Sequence, residues 1–213
     1  MSATKSQRIL LIVNNLVAHG DPKWKPLYSF LEESGIAVGN AVLGGSYKQV
    51  STLKGTAATR TAFLNRLKTL ATTAGVKAVD LFLQLHGAPG KVWFHGGEVS
   101  TAQLRQDIVA LGLPNRLRLV YNTSCYGDSH SADLIGAGFR TAIGSKKVNA
   151  NAGVEYPTFC SLWAAGSTAQ SAISTADAPL SRAAQDAAAK QLGFADADSQ
   201  KVVRGLKSLK ISS

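Results

Sequence analysis

Two apolar stretches decide the fold of this chain: VDLFLQLHG, residues 79–87, and LRLVYNTSCYG, residues 117–127. Each is dominated by Leu, Val and aromatic residues, as buried parallel strands are, and each ends in turn-forming residues. His86 lies at the end of the first stretch and Cys125 at the end of the second. Functional groups of doubly wound sheets collect beyond the carboxyl ends of central strands. If the two strands are neighbours, the imidazole and the thiol lie at one edge of the sheet.

Strand-like and helix-like segments alternate on both sides of these stretches. Strands are predicted at 8–15, 36–43, 79–85, 117–124 and 141–144, and helices at 26–33, 56–73, 100–111, 131–139, 159–172 and 179–192. Residues 91–100 predict a small hairpin. This alternation indicates a single α/β domain over residues 1–194, with a mainly parallel central sheet and helices on both faces. Residues 195–213 are expected to form a basic, partly loose tail.

Charge and composition narrow the classes of function. The chain has 213 residues, 45% of them hydrophobic, which is enough for a sizeable core. Its formal charge of +10 is typical of proteins that bind nucleic acid. The lysines and arginines are scattered singly, however, and no nucleic-acid-binding motif accompanies them. We therefore favour a solvated basic surface over a nucleic-acid partner.

The sequence also bears on compartment and cofactors. No apolar run approaches the roughly 20 residues of a membrane span, and the first residues lack a signal-peptide cleavage pattern. Two cysteines are too few for a disulfide framework, although one bridge between Cys125 and Cys160 stays open. Zinc-site, dinucleotide and P-loop spacings are absent. These features predict a cytoplasmic protein with no membrane partner and no metal or other cofactor.

A thiol and an imidazole at neighbouring strand ends suit acyl transfer. A thiol attacks only as the thiolate, and its ordinary pKa of about 8.5 calls for a nearby base or a helix N-terminus. His86 would accept the proton and return it to the leaving amine, while the helix predicted at 131–139 would direct its positive end toward Cys125. The backbone amides of Gly87 and Cys125 are suited to bind the oxyanion.

Other interpretations of the same residues stay open. Cys125 would otherwise be a buried, inert thiol, and His86 a histidine that caps a loop. His95 and His130 compete as the base, although His95 falls in the predicted hairpin and His130 follows Cys125 by only five residues. Cys160 precedes an apolar helical stretch and is expected in the core.

Four predicted elements follow one another here: an apolar strand that ends in His-Gly, a glycine-bearing hairpin, a helix, and an apolar strand that ends in a small residue and Cys. This order resembles that of the caspase-like cysteine peptidases. This group takes in caspases, metacaspases, legumain, gingipain and clostripain. The resemblance is concentrated in residues 79–127 and is looser over 8–172. It implies a caspase-like three-layer sandwich and a cysteine endopeptidase that works through a His86/Cys125 dyad and a thioester acyl-enzyme. It also implies an oxyanion-binding amide from Gly87.

The resemblance is to a small bacterial-type member of the group, and two departures indicate that the chain is not a caspase proper. His86 precedes Cys125 by 39 residues, against roughly 50 in caspases, and the NTSCYG segment lacks their Gln-Ala-Cys signature.

The resemblance also implies that the substrate is a protein or peptide. Members of the group tend to require one particular residue before the cleaved bond, and the position that Thr123 occupies is acidic in some members that prefer basic residues. Glu155, predicted in a loop over 149–157, is the nearest substitute, and Asp128 is another. We therefore expect a preference for Arg or Lys through Glu155.

Two other classes of function remain as alternatives. One is a non-catalytic adaptor that keeps the fold as a binding module. The other is a nucleic-acid-associated protein, whose binding would depend steeply on salt concentration. The oligomeric state does not follow from the sequence.

Overall fold

The computed structural model describes residues 2–213. The strands are β1 (Arg8–Asn15), β2 (Gln49–Lys54), β3 (Ala78–Ala88), β4 (Lys91–Phe94), β5 (Gly97–Ser100), β6 (Leu117–Asn122), β7 (Thr141–Ser145) and β8 (Lys201–Gly205). The helices are α1 (Lys25–Leu43), α2 (Arg60–Thr72), α3 (Thr101–Ala110), α4 (Gly127–Gly136), α5 (Ala152–Ala164), α6 (Ala169–Ala176) and α7 (Pro179–Gln191).

Six strands form the main sheet in the order β2-β1-β3-β6-β7-β8. All neighbours in this row are parallel except β7 and β8, which are antiparallel. The hairpin of β4 and β5 extends the far end of β3. The predicted mainly parallel α/β sheet is confirmed, as are the strands that begin at Arg8, Leu117 and Thr141.

Helices cover both faces of the sheet because its strands are apolar on both sides. Along β1, Ile9, Leu11 and Val13 pack into one buried cluster, and the alternate residues Leu10 and Ile12 pack into the other. The first cluster is completed by α2, α3 and α4, and the second by α1, α5 and α6. The result is a three-layer sandwich.

The prediction of a strand at 36–43 is wrong, because α1 continues to Leu43. Ser34-Gly35 resembles a helix end, yet Gly35 and Gly39 face the sheet. A Cβ at Gly35 would lie 2.6 Å from the side-chain oxygen of Gln84, and one at Gly39 would lie 2.6 Å from Cδ1 of Ile12. These glycines therefore let α1 pack closely on the sheet, and the second strand is β2 instead.

The last third of the chain also differs from the prediction. The helix predicted at 159–172 is two helices, α5 and α6, separated by a turn at Gly166, where φ is +87°. The helix predicted at 131–139 begins earlier, at Gly127.

The prediction of a loose tail over 195–213 is wrong. Strand β8 pairs with β7, and Leu209 and Ile211 are buried. The guanidinium groups of Arg8 and Arg118 donate to the carbonyl oxygen of Ile211 at 2.6 and 2.8 Å. Strand pairing, two buried apolar side chains and two arginine hydrogen bonds together attach this segment to the domain.

None of the helices between residues 2 and 213 combines the length and the apolar character that a bilayer-spanning helix needs.

Helix α4 begins in direct backbone contact with β7. A Cβ at Gly144 would overlap the carbonyl carbon of Gly127 and lie 2.6 Å from the amide nitrogen of Asp128. Both of these are backbone atoms, so no side chain can move aside. The position of α4 therefore depends on glycine at both places.

We expect Gly144→Ala to lower the free energy of unfolding by more than about 2 kcal/mol, because α4 must shift away from the sheet. Urea unfolding followed by circular dichroism measures the change. Gly45→Ala is the matched control, since a Cβ at Gly45 meets no atom within 4 Å. Equal midpoints for the two variants would contradict the expectation.

Candidate active site

Strand β3 carries His86, and the chain that leaves the adjacent strand β6 carries Cys125. In their parallel register Leu83 is opposite Asn122, the last residue of β6. His86 lies three positions further along β3, and Cys125 lies three residues beyond the end of β6. A Cβ at Gly87 would overlap the carbonyl oxygen of Cys125 and lie 2.8 Å from the Cβ of Ser124. The two strand ends are therefore in direct contact at the residue that follows His86.

The imidazole of His86 is held in one orientation. Its Nε2 lies 2.6 Å from the carbonyl oxygen of Leu16, just beyond β1. A carbonyl oxygen only accepts, so Nε2 carries the proton and Nδ1 keeps its lone pair. The ring of Tyr28, from α1, meets the imidazole edge-on with centroids 4.8 Å apart. Nδ1 is therefore available as a proton acceptor.

Burial lowers the pKa of His86, and the neighbouring His19 adds to the effect, although the hydrogen bond to Leu16 opposes it. The lowered pKa means that the imidazole is neutral near pH 7.

Cys125 is partly buried, and its Sγ accepts a hydrogen bond of 3.4 Å from the backbone N–H of Asn149. Burial raises the pKa of the thiol, although that N–H and the charge of Lys201 act in the opposite direction. The thiol is therefore protonated at rest. Both candidate side chains, the thiol of Cys125 and the imidazole of His86, are therefore uncharged near neutral pH.

The turn after Cys125 is strained. Among residues 2–213, Tyr126 is the one non-glycine residue with a positive φ, 56°. Its N–H donates to the carbonyl oxygen of Lys147 at 2.7 Å, and its hydroxyl donates to the carboxylate of Asp196 at 2.9 Å. Strain of this kind persists where surrounding contacts hold it, often at functional sites. The turn places Cys125 two residues before α4, at the positive end of its dipole.

The two rival histidines have other positions. Nδ1 of His130 accepts from the side-chain amide of Asn122 at 3.0 Å, and its Nε2 lies 2.8 Å from the carbonyl oxygen of Ala88. Both ring nitrogens are thus used to fasten α4 to β6 and β3. His95 lies in the turn between β4 and β5, where its N–H donates to the carbonyl oxygen of Ala58. Neither histidine lines the cavity that Cys125 shares with His86.

The three residues predicted to bind substrate are not brought together. Thr123 lines the cavity, and its hydroxyl donates to the carbonyl oxygen of Leu83 at 3.2 Å. Asp128 lies in the first turn of α4 and forms two hydrogen bonds, of 2.8 and 2.9 Å, with Arg204. Glu155 is not in a loop, as the sequence predicted, but inside α5.

The carboxylate of Glu155 is fully buried, accepts from the hydroxyl of Tyr121 and lies 3.4 Å from Nζ of Lys201. Its charge is thus balanced within the core. Direct contact between Glu155 and a substrate side chain is not favoured by this placement.

A cavity of about 640 Å³ opens beside His86 and Cys125. Its floor includes Gln84 and Leu85 of β3, and its walls come from α1, α5 and α7. Sequence reasoning missed Leu16, Tyr28 and Asn149 as neighbours of the site. Leu16 and Asn149 contribute backbone atoms, so their side chains carry no signal for this role. Within residues 2–213, no three His, Cys, Asp or Glu side chains are grouped as metal ligands would be.

No protein-family model matches the sequence, and no curated protein matches it at a significant level. Solved structures do match. The Drosophila initiator caspase Dronc aligns with a TM-score of 0.58 and 12% identity over 99% of this chain and 84% of its own. Caspase-1 from Spodoptera frugiperda aligns with a TM-score of 0.57 and 11% identity over 96% of this chain and 88% of its own. The chain has a caspase-like fold.

The same fold is found in the Porphyromonas gingivalis RgpB complex of pro- and mature domains. It aligns with a TM-score of 0.56 and 12% identity over 96% of this chain, which spans only 48% of that RgpB chain. The expected caspase-like sandwich is therefore confirmed. Because the sequence identities are only 11–12%, these alignments establish a shared fold and nothing further.

The environments of the two cysteines predict different reactivity. Burial raises the pKa of Cys160 to about 12, and its side chain is fully enclosed, whereas Cys125 is partly exposed at the cavity. In the folded protein we expect a small thiol reagent to modify one cysteine per chain, at Cys125, and two after unfolding in urea. Mass spectrometry of peptides after iodoacetamide treatment identifies the site. Modification of Cys160 before Cys125 would contradict the expectation.

Proposed function

We propose that the chain is a cysteine endopeptidase in which Cys125 is the nucleophile and His86 the general base. The observation that carries this proposal is the fixed imidazole. The Leu16 carbonyl holds the Nε2 proton of His86, and Nδ1 is left for the thiol at the adjoining strand end. The caspase-like fold, shared with the caspases above, supports a peptidase.

The reaction would proceed in two acyl transfers. Nδ1 of His86 takes the Sγ proton of Cys125, and the thiolate attacks the carbonyl carbon of the peptide bond. The Leu16 carbonyl stabilises the resulting imidazolium through the Nε2–H bond. The same Nδ1 proton then passes to the leaving amine, and a thioester remains on Cys125. Water, deprotonated by His86, hydrolyses that thioester and restores the thiol.

The oxyanion of each tetrahedral intermediate needs hydrogen-bond donors. The backbone amides of Gly87 and Cys125 are proposed for this role, because Gly87 lacks the Cβ that would force the two strand ends apart. The positive end of α4 adds favourable potential at the same place. The amino-acid residues and water supply every group that the steps require, so the proposal includes no cofactor.

Peptides or proteins are the proposed partners. Because Cys125 and Cys160 are both free thiols and the mechanism requires one of them, we also propose the reducing cytoplasm as the compartment.

Labelling with a peptidyl acyloxymethyl ketone tests the pair. We expect one adduct, at Cys125, in the wild-type chain, no adduct in Cys125→Ala, and labelling at least about 100-fold slower in His86→Ala. Cys160→Ala is the control and should label like the wild type. If both cysteines were modified slowly, at equal rates and independently of His86, the peptidase proposal would be wrong. A non-catalytic caspase-like binding module would then be favoured.

The pH dependence provides a second test. His86 must be neutral to accept the proton, so the rate falls as pH drops through its pKa. Since burial lowers that pKa below its ordinary 6.5, the acid limb should have its midpoint below 6.5. Ketone inactivation rates between pH 4 and pH 9 measure it. A midpoint at or above 6.5 would contradict the lowered pKa of His86.

A further inference from the structure

The cavity beside His86 and Cys125 is walled by three helices. Helix α1 contributes Leu27, Phe30 and Leu31, α5 contributes Val154, and Leu192 follows α7. Four of these side chains are substantially exposed: Leu27 at 44%, Phe30 at 64%, Val154 at 46% and Leu192 at 53%. Scattered apolar residues on a surface are ordinary, but a contiguous group around a concave opening marks a binding site.

No charged side chain lines this cavity. The chain has 23 Lys and Arg and 13 Asp and Glu, yet none of them is among the lining residues. Glu155 is paired with Lys201 and Asp177 with Arg182, and the buried carboxylate of Glu32 accepts from the backbone N–H groups of Leu16 and Val17. A charged group entering the cavity would lose its hydration and find no counter-ion. Burial of that kind costs several kcal/mol.

Some uncharged polar groups of the lining are occupied by internal hydrogen bonds, whereas Oδ1 of Asn149 and the hydroxyl of Tyr156 are buried without a partner. The hydroxyl of Ser34 donates to the carbonyl oxygen of Phe30 at 2.6 Å. The side-chain oxygen of Gln84 accepts from Asn14 at 2.5 Å, and the side-chain amide of Asn149 donates to the carbonyl oxygen of Thr123 at 2.8 Å. Most of the lining residues are nonetheless Leu, Val, Ala, Phe, Tyr, Pro or Gly, so the cavity offers an entering group mainly apolar surface with a few polar atoms.

We propose that this cavity binds a large apolar side chain, of the Leu or Phe class, in the substrate residue just before the cleaved bond. The assignment rests on the proposed function, because the acyl part of the substrate stays attached to Cys125, which opens into the cavity. The cavity volume of about 640 Å³ is larger than the volume of one side chain. The cavity therefore also has room for an apolar side chain of the substrate residue that precedes it. The preference for Arg or Lys expected from the sequence is replaced by an apolar one.

A matched set of acyloxymethyl ketones, identical except for Leu, Phe, Arg or Asp next to the ketone, tests the selectivity. We expect Leu and Phe to inactivate the full chain at least about 100-fold faster than Arg or Asp. An Arg or Asp probe that labels Cys125 as fast as Leu would overturn the apolar cavity while leaving the peptidase intact.

A binding measurement separates this inference from the proposed chemistry. Fluorescent peptides ending in the same four residues are titrated into Cys125→Ala and followed by anisotropy, with a fluorescent fatty acid as a further probe. Selective binding of the Leu and Phe peptides, without any ketone labelling of the wild type, would refute the peptidase and support the cavity. Binding of the fatty acid in preference to every peptide would overturn the peptide as its occupant.

A substitution of Gln by Glu changes the charge of the cavity lining with little change in side-chain size. Gln185 lines the cavity from α7, so Gln185→Glu should raise the rate of the Arg probe relative to the Leu probe by at least about 10-fold. Gln191→Glu, on the same helix but outside the lining, is the matched control and should leave the ratio unchanged. An equal change in both variants would refute the role of the lining.

Discussion

The parallel pairing of β3 with β6 is the constraint on which the candidate site depends. Because Leu83 is opposite Asn122 at the end of β6, the chain that carries Cys125 leaves the sheet beside β3, and Gly87 lies against the Cys125 backbone. A shift of register by one residue would point the alternating side chains of a strand to the wrong faces and separate the thiol from the imidazole. The apolar clusters on both faces of the sheet oppose such a shift.

Hydrogen bonds of buried polar residues hold β3 and β6 together at both ends of this pairing. Near the site, His130 joins Asn122 to the carbonyl of Ala88, so the rival histidine has a structural role. At the opposite end, Arg118 forms two hydrogen bonds with Asp80, at 3.0 and 2.6 Å, and both side chains are buried. Breaking a pair of this kind leaves an uncompensated charge in the core, which is strongly destabilising.

Local patterns predicted much of the sheet because a strand covered on both faces needs an apolar run whose signal lies within a few residues. They failed at α1, where Gly35 permits close packing on the sheet instead of ending a helix. They failed again at β8, whose place depends on pairing with β7, distant in the chain. Local sequence carries no information on such partners, since the favourable contacts form only after folding.

The sequence by itself determined the mainly parallel α/β sheet, the resemblance to caspase-like peptidases and the positions of His86 and Cys125 at two strand ends. Residue type and local periodicity suffice for these features. Only the tertiary structure decided that Leu16 orients the imidazole, that Glu155 is neutralised in the core, and that the cavity lacks charge. Each of these depends on backbone atoms or side chains that lie far apart in the chain and meet only when the helices pack on the sheet.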